Sequence, residues 1–174
     1  RGRFARGCKG LGKDVVERLD RLRHAIVALR LPADARTALH AFLAHHQLTN
    51  AAVAVRSSAV GEDGATASFA GIHESVLNVR GFDDIEAAVL RCYASLWTPT
   101  AVAYRRRLGY EDQATRCAVV VLQMVHAPGR PEPAAAGVAF SCDPRTGRRN
   151  VVVMNAAAGM GDKVVLGSVN PDQY

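Results

Sequence analysis

The 174-residue chain is 49% apolar, carries a formal net charge of +6, and contains four cysteines that lie far apart. This length and apolar content allow one good core or two small ones, which excludes a disordered protein. Apolar runs such as 118–122 and 151–154 are too short to cross a bilayer, and we expect no secretory leader. No two cysteines have zinc or redox spacing, so we expect reduced thiols in a cytoplasmic protein.

Residues 1–50 carry all of the net positive charge. They hold 10 Lys/Arg against 4 Asp/Glu, whereas residues 51–174 hold 12 against 12. Such a segment is typical of a nucleic-acid-binding arm or of a solvated helix face. The acids interleaved with the bases favour the solvated face.

Two amphipathic helices are predicted in this basic segment. Residues 14–30 place apolar side chains at spacings of three and four, and Leu31-Pro32 ends the helix. Residues 33–46 form the second helix. Together they predict a helical hairpin that packs on the rest of the chain.

The next segment combines a strand with phosphate-binding chemistry. The apolar strand 53–55 leads to Arg56, Ser57 and Ser58, and a glycine- and serine-rich loop continues through Gly71. Arginine binds phosphate oxygens bidentately, and small residues let backbone N–H groups approach closely. The order predicts a polyphosphate site.

Downstream, Asp83 and Glu86 have capping-box spacing at the start of a helix that reaches about Trp97. Spacings of three and four predict an apolar stripe on this helix, made of Ile85, Val89, Cys92 and Leu96. Thr98-Pro99 begins the following helix, which ends at Gly109. Strands are predicted at 116–125, 137–142 and 150–154, with turn chemistry at 143–147. Helices followed by antiparallel strands indicate an α+β fold.

Several blocks of the sequence resemble one family. VAVRSSAVGED, ASFAG and ESVLNV, within 53–79, closely resemble the nucleotide-binding domain of phosphoenolpyruvate synthase, pyruvate phosphate dikinase and rifampin phosphotransferase. The resemblance continues through CYASLWTPTAVAYRRRLGY, VVVLQMV, GVAFSCDPRTG and AAAGMGDKVVLGSVNPDQY, in the family order. It implies the ATP-grasp fold, in which ATP lies between two α+β subdomains.

The resemblance also implies a domain organisation. Residues 1–50 form the basic segment with the helical hairpin, 51–110 part of the first subdomain, and 111–174 a truncated second subdomain. The chain begins with Arg1 and stops at Tyr174, so we expect a piece of a longer protein whose first subdomain is incomplete here.

The resemblance assigns ATP contacts to named residues. Arg56 corresponds to the family's phosphate-binding arginine, and Ser68 and Gly71 lie in the loop over the phosphates. Gln123, Met124 and Val125 follow the adenine, and Arg105 is a further candidate because its YR dipeptide recurs in the family. Lys9 resembles the lysine of the family's opening GGKGxxL. The same stretch approaches a GxxxxGK[ST] loop, which we reject because Asp14 replaces Ser/Thr and no strand precedes it.

Three oxygen-bearing side chains are candidates for Mg²⁺, which ATP chemistry needs beside the β- and γ-phosphates. They are Asp143, Asn155 and Asp162. Many relatives have an acid at the position of Asn155, a glutamate at that of Asp162 and a glutamine at that of Leu166. These departures put the metal affinity in question.

The resemblance implies an ATP- and Mg²⁺-dependent phosphotransferase. ATP is cleaved to AMP and phosphate, and its β-phosphoryl group passes to a histidine on a swivelling domain, then to pyruvate or a small-molecule hydroxyl. The histidine and substrate domains are absent from these residues. The alternatives are a catalytically weakened ATP-binding regulatory module and a basic nucleic-acid-binding protein.

Overall fold

A computed structural model describes residues 11–59, 63–64, 67–68, 74–112, 115–125 and 135–174. They form two compact units divided between Met124 and Val125. The helices are α1 (Lys13–Val27), α2 (Ala33–His45), α3 (Phe82–Ser95), α4 (Pro99–Arg107) and α5 (Asp162–Val165). The strands are β1 (Val53–Ala59), β2 (Asp63–Gly64), β3 (Ala67–Ser68), β4 (Ser75–Val79), β5 (Cys117–Gln123), β6 (Ala135–Phe140), β7 (Val153–Ala158) and β8 (Asp172–Gln173).

The first unit is built on an antiparallel sheet of order β4-β1-β5. β5 pairs with β1 over seven consecutive residues, from Val53 opposite Gln123 to Ala59 opposite Cys117. The structure therefore differs from the predicted boundary near residue 110. The backbone hydrogen bonds of this ladder keep residues 117–123 in the first unit.

One face of this sheet packs on α3 to form the core. Val53 and Val55 are fully buried, and they meet Ile85, Val89 and Cys92 of the helix. The predicted apolar stripe of α3 is confirmed by these contacts. The described residues combine helices with antiparallel sheets, so the fold is α+β, as predicted.

The helical hairpin lies against this core with only part of its predicted apolar surface buried. Leu19 of α1 and Leu43 of α2 are buried, while Leu22 and Phe42 stay exposed. α1 packs on α3, and Leu43 enters the core of the first unit. Apolar contact alone therefore leaves much of the hairpin open to solvent.

A buried carboxylate joins the hairpin to α3. Glu86 is 2% exposed and accepts hydrogen bonds from the Leu31 N–H at 2.9 Å and from Arg30 at 3.1 Å. Its Oε1 also forms an ion pair with Nε of Arg36 at 3.1 Å. The capping-box prediction was wrong, because the N-cap of α3 is Gly81, which provides no side-chain cap, and Glu86 binds the hairpin instead.

The electrostatics of Glu86 follow from these partners. Burial alone would raise its pKa. The Leu31 N–H, the hydrogen bond from Arg30 and the charges of Arg36 and Arg30 outweigh burial, and the pKa is lowered. Glu86 is therefore ionised at neutral pH.

Cys92 is expected to be chemically inert in the folded chain. Burial, assisted by the Glu74 carboxylate, raises the pKa of its thiol to about 11, so almost no thiolate forms at neutral pH. Alkylation of the native chain near neutral pH should label the partly exposed Cys142 and spare Cys92, with both labelled after unfolding. Peptide mass spectrometry gives the sites, and rapid native labelling of Cys92 would contradict the burial.

The second unit contains the antiparallel sheet β6-β7-β8. The return strand predicted at 150–154 runs instead from Val153 to Ala158, paired with β6 from Phe140 back to Ala135. A Cβ at Gly137 would lie 2.1 Å from the Asn155 carbonyl oxygen, so the two strands approach this closely only with glycine there. Across the described ranges, no helix is long and apolar enough to span a membrane.

Candidate functional site

Arg56 lies on the face of the first sheet that α3 does not cover. Its strand alternates, so Val53 and Val55 point into the core while Arg56 and Ser58 are exposed. Within the described part of the chain, the Arg56 guanidinium has no hydrogen bond or ion pair. An arginine on the central strand with all of its donors open can receive a bidentate anion.

Aliphatic side chains surround this arginine on the same face. Cross-strand partners share a face, and Arg56 pairs with Val120 while Ala54 pairs with Leu122. Val120 is 40% exposed and Leu122 is 45% exposed, although both are large and apolar. One guanidinium set among open aliphatic groups suits a ligand with an anionic part and an apolar ring.

The edge strand β4 brings polar groups beside Arg56. Ser75 is the cross-strand partner of Arg56, and Glu74 precedes it with its carboxylate bound to Arg91 of α3. Sequence reasoning gave Glu74 no role, because its partner Arg91 lies 17 residues away and no local pattern pairs the two residues. β4 itself is not among the predicted strands.

The predicted adenine segment begins at the end of β5. Gln123 is exposed and pairs with Val53, and the Met124 N–H donates to the Ala52 carbonyl at 2.9 Å. The Met124 sulfur accepts from the Asn78 N–H at 3.0 Å. Val125 is exposed and begins the second unit.

Arg105 faces the protein interior. It is 4% exposed, donates to the Leu96 carbonyl, and lies over the Trp97 ring with Cζ 5.5 Å from the centroid. Burial lowers its pKa, and the nearby Asp112, with an Nη2–Oδ1 distance of 3.5 Å, opposes that effect. Among the residues that the structure describes, Nε and Nη2 of Arg105 are buried without a hydrogen-bond partner, so burial rather than saturation of its donors favours a structural role.

Three predicted contacts are described only in part or lie outside the described residues. Lys9 and Gly71 are outside them. Ser68 is described as backbone only, in β3, paired with Asp63 of β2. Their roles toward ATP stay predictions.

In the second unit, Asn155 and Asp162 lie at the same face of the sheet. Asn155 pairs with Val138, and Ala136 is two residues away on the same face. A Cβ at Gly161 would lie 3.4 Å from that of Ala136, so α5 begins over this face. Asp162 is the first residue of α5, and its Oδ1 is buried with no hydrogen-bond partner.

Asp143 belongs to the opposite end of the hairpin. It follows β6, where the chain turns between Phe140 and Val153, and its Oδ1 accepts from the Arg145 N–H at 2.9 Å. Oδ2 accepts from the Thr146 hydroxyl, which with the Arg145 N–H lowers the pKa of Asp143. A strand rises about 3.3 Å per residue, so Phe140 lies about 13 Å from Ala136. The structure therefore does not bring Asp143 to Asp162.

The described residues contain no cluster of three or more His, Cys, Asp or Glu side chains that could hold a metal. A Mg²⁺ site here would therefore use few protein ligands, as is usual when phosphates complete the coordination. The buried, unpartnered oxygen of Asp162 and the amide oxygen of Asn155 fit such a site.

Comparisons with known proteins identify the family of the chain. Residues 10–174 match the family described as the pyruvate phosphate dikinase AMP/ATP-binding domain. The chain belongs to this family.

Named relatives of this AMP/ATP-binding domain cover most of the chain. A rifampicin phosphotransferase from Streptomyces sviceus is 43% identical over 88% of the chain and 17% of its own length. A phosphoenolpyruvate synthase from Aquifex aeolicus is 40% identical over 95% of the chain and 20% of its own length. A phosphoenolpyruvate synthase from Pyrococcus furiosus is 44% identical over 70% of the chain and 14% of its own length. The chain thus spans about a fifth or less of these relatives.

Proposed function

We propose that the chain is the nucleotide-binding part of a phosphoenolpyruvate-synthase-like dikinase or phosphotransferase with the ATP-grasp architecture. The observation that carries the proposal is Arg56, exposed among aliphatic side chains on the central strand of a chain in the AMP/ATP-binding family. ATP is cleaved so that AMP leaves and water takes the γ-phosphoryl group as phosphate. The β-phosphoryl group passes to a histidine on a separate domain and then to pyruvate or a small-molecule hydroxyl.

The first unit binds the nucleotide in this proposal. Arg56 holds phosphate oxygens and neutralises charge that builds up during transfer, while Val120 and Leu122 exclude water from the same face. Gln123 to Val125 offer backbone groups to the adenine, and Ser68, Gly71 and Lys9 add phosphate contacts. Positioning and charge neutralisation dominate the contribution of these residues, because none of them forms a bond to the phosphorus itself.

Oxygen ligands for a metal are present in the second unit. Asp162 and Asn155 would hold Mg²⁺, which would supply positive charge toward phosphate oxygens when it is bound. Asp143 is not part of this proposed metal site, because its carboxylate accepts hydrogen bonds within the adjacent turn.

Calorimetric titration of the chain with ATP and Mg²⁺, repeated in EDTA, tests the proposal. Micromolar binding that weakens in EDTA is expected. Absence of binding in both conditions would contradict a working nucleotide site. Titration with inorganic phosphate and Mg²⁺ is the control for simple anion binding.

The metal assignment predicts unequal effects of two aspartates. Asp162→Ala should weaken Mg²⁺-dependent ATP binding roughly tenfold, the effect of losing one charged ligand, and should leave binding in EDTA unchanged. Asp143→Ala is the matched control, with unchanged Mg²⁺ dependence, because its carboxylate serves the turn. A Mg²⁺ titration at fixed ATP compares them, and a larger effect at Asp143 would reverse the assignment.

The second candidate function is an ATP-binding regulatory module with weakened catalysis. The neutral Asn155 at a position that is often acidic favours it, as does Leu166, which is 75% exposed where a glutamine is common. ATP cleavage measured after adding a histidine domain from a relative separates the two functions. Binding without AMP formation would support the regulatory module.

A nucleic-acid-binding role for residues 1–50 is less favoured by the structure. Arg23, Arg30 and Arg36 are engaged by Asp20 or Glu86. Their charges are therefore partly neutralised within the protein. Binding to DNA or RNA that falls steeply with salt, and exceeds that of a charge-matched control protein, would revive this role.

A further inference from the structure

The start of β4 is held in place by one residue. The Glu74 carboxylate is bound by the guanidinium of Arg91. The backbone carbonyl of Glu74 accepts hydrogen bonds from the Ser57 hydroxyl at 3.5 Å and from the Cys92 thiol at 3.6 Å. Glu74 is therefore tied to α3 by its side chain and to β1 and α3 by its backbone.

The strand that follows needs such an anchor. β1 pairs with β4 at Val53–Val79, Val55–Val76 and Arg56–Ser75, so β4 holds one extra residue between Val76 and Val79. Asn78 takes a positive φ of 57° in this bulge. A shift of one residue would turn every following side chain to the opposite face. Arg56–Ser75 is the last pair, directly beside Glu74.

The ion pair between Arg91 and Glu74 contributes little to the overall stability of the fold, so its main effect is on local geometry. The side chains of Arg91 and Glu74 are 49% and 37% exposed, and exposed ion pairs contribute little to the free energy of unfolding. Its position is specific, however, because it fixes the residue next to the partner of Arg56.

We propose that Arg91 is a positioning residue for the nucleotide site: through Glu74 it holds the start of β4 in the register that places Ser75 beside Arg56. The inference rests on the proposed function, because Arg56 must bind ATP for its surroundings to matter. Arg91 itself touches no reacting atom in this arrangement and acts through the strand.

The test is a double-mutant cycle on ATP affinity, measured by calorimetry with Mg²⁺. Arg91→Ala should weaken binding roughly three- to tenfold, a size typical of coupling between contacting groups, and Arg91→Lys should recover part of the loss. In an Arg56→Ala background, Arg91→Ala should have little further effect. Arg106→Ala is the matched control, since Arg106 is 50% exposed and also pairs with an acid, Asp112.

Hydrogen exchange separates this inference from the proposed function. The amides of 75–79 should exchange faster in Arg91→Ala than in Arg106→Ala, with or without nucleotide. Equal effects of the two variants on affinity, or a full loss from Arg91→Ala in the Arg56→Ala background, would overturn the inference. If the unaltered chain binds no ATP, the proposed function fails, and unchanged exchange in 75–79 would then also refute the anchoring of β4.

Discussion

Replacing Arg56 with alanine is expected to weaken ATP binding by at least about tenfold while leaving the fold intact. A charge-assisted hydrogen bond to phosphate is worth roughly 1.5–3 kcal/mol, which corresponds to about ten- to a hundredfold in affinity. The fold should survive because the side chain is exposed and has no partner in the described part of the protein. Calorimetry with ATP and Mg²⁺ measures the loss, and circular dichroism checks the fold.

Two further variants sharpen this result. Arg56→Lys keeps the charge but loses the planar fork, so it should recover only part of the affinity if the contact is bidentate. Arg80→Ala removes an exposed arginine that donates to the Asn50 carbonyl, and it should bind ATP normally. Unchanged affinity in Arg56→Ala would remove Arg56 from the nucleotide site.

Replacing Glu86 with alanine is expected to destabilise the first unit more than removal of any exposed ion pair. The change leaves the Leu31 N–H and two arginines without their buried acceptor. Glu86→Gln keeps the shape of the side chain and the acceptor for the Leu31 N–H, so its stability should lie between that of the unaltered chain and that of Glu86→Ala. Asp20→Ala is the control, because it breaks an exposed pair within α1, and thermal unfolding ranks the variants.

The stability contribution of Glu86 should also depend on pH in a defined direction. Its pKa in the folded chain is lowered from the ordinary value of 4.5, so the folded state favours the ionised form. The contribution is complete above that value and is lost as the pH falls through the lowered pKa. Glu86→Gln should therefore flatten the acid limb of a plot of Tm against pH. If Tm falls with acid as steeply in Glu86→Gln as in the unaltered chain, groups other than Glu86 determine the loss of stability at low pH.

Local sequence rules predicted the features that depend on neighbouring residues. Alternation placed Arg56 after a buried strand, and spacing of three and four predicted the buried stripe of α3. The cap of α4 is confirmed, since the Ala101 N–H donates to the Thr98 hydroxyl at 3.2 Å with Pro99 in the first turn. The turn at 143–147 is confirmed by the Gly147 N–H, which donates to the Asp143 carbonyl at 2.8 Å.

Local rules are least informative where a side chain has both a local and a distant partner available. The capping-box prediction for Glu86 was wrong, because the hydrogen bond that Glu86 accepts from Arg30 joins residues 56 apart in the chain. The metal role of Asp143 stays a prediction, although in the structure the adjacent turn uses both of its carboxylate oxygens. In each case the same carboxylate suits several partners, and only the packing decides among them.

The α+β composition, the strand that carries Arg56 and the family of the chain could all be predicted from the residues alone, because they depend on local periodicity and on motif order. Three features became visible only in the folded chain. They are the pairing of β5 with the strand of Arg56, the ion pair between Glu74 and Arg91, and the shared face of Asn155 and Asp162 with Asp143 at the other end of the hairpin. These are contacts between distant residues. Which of these contacts form depends on the groups that the folded backbone brings within reach, and short-range periodicity does not predict that.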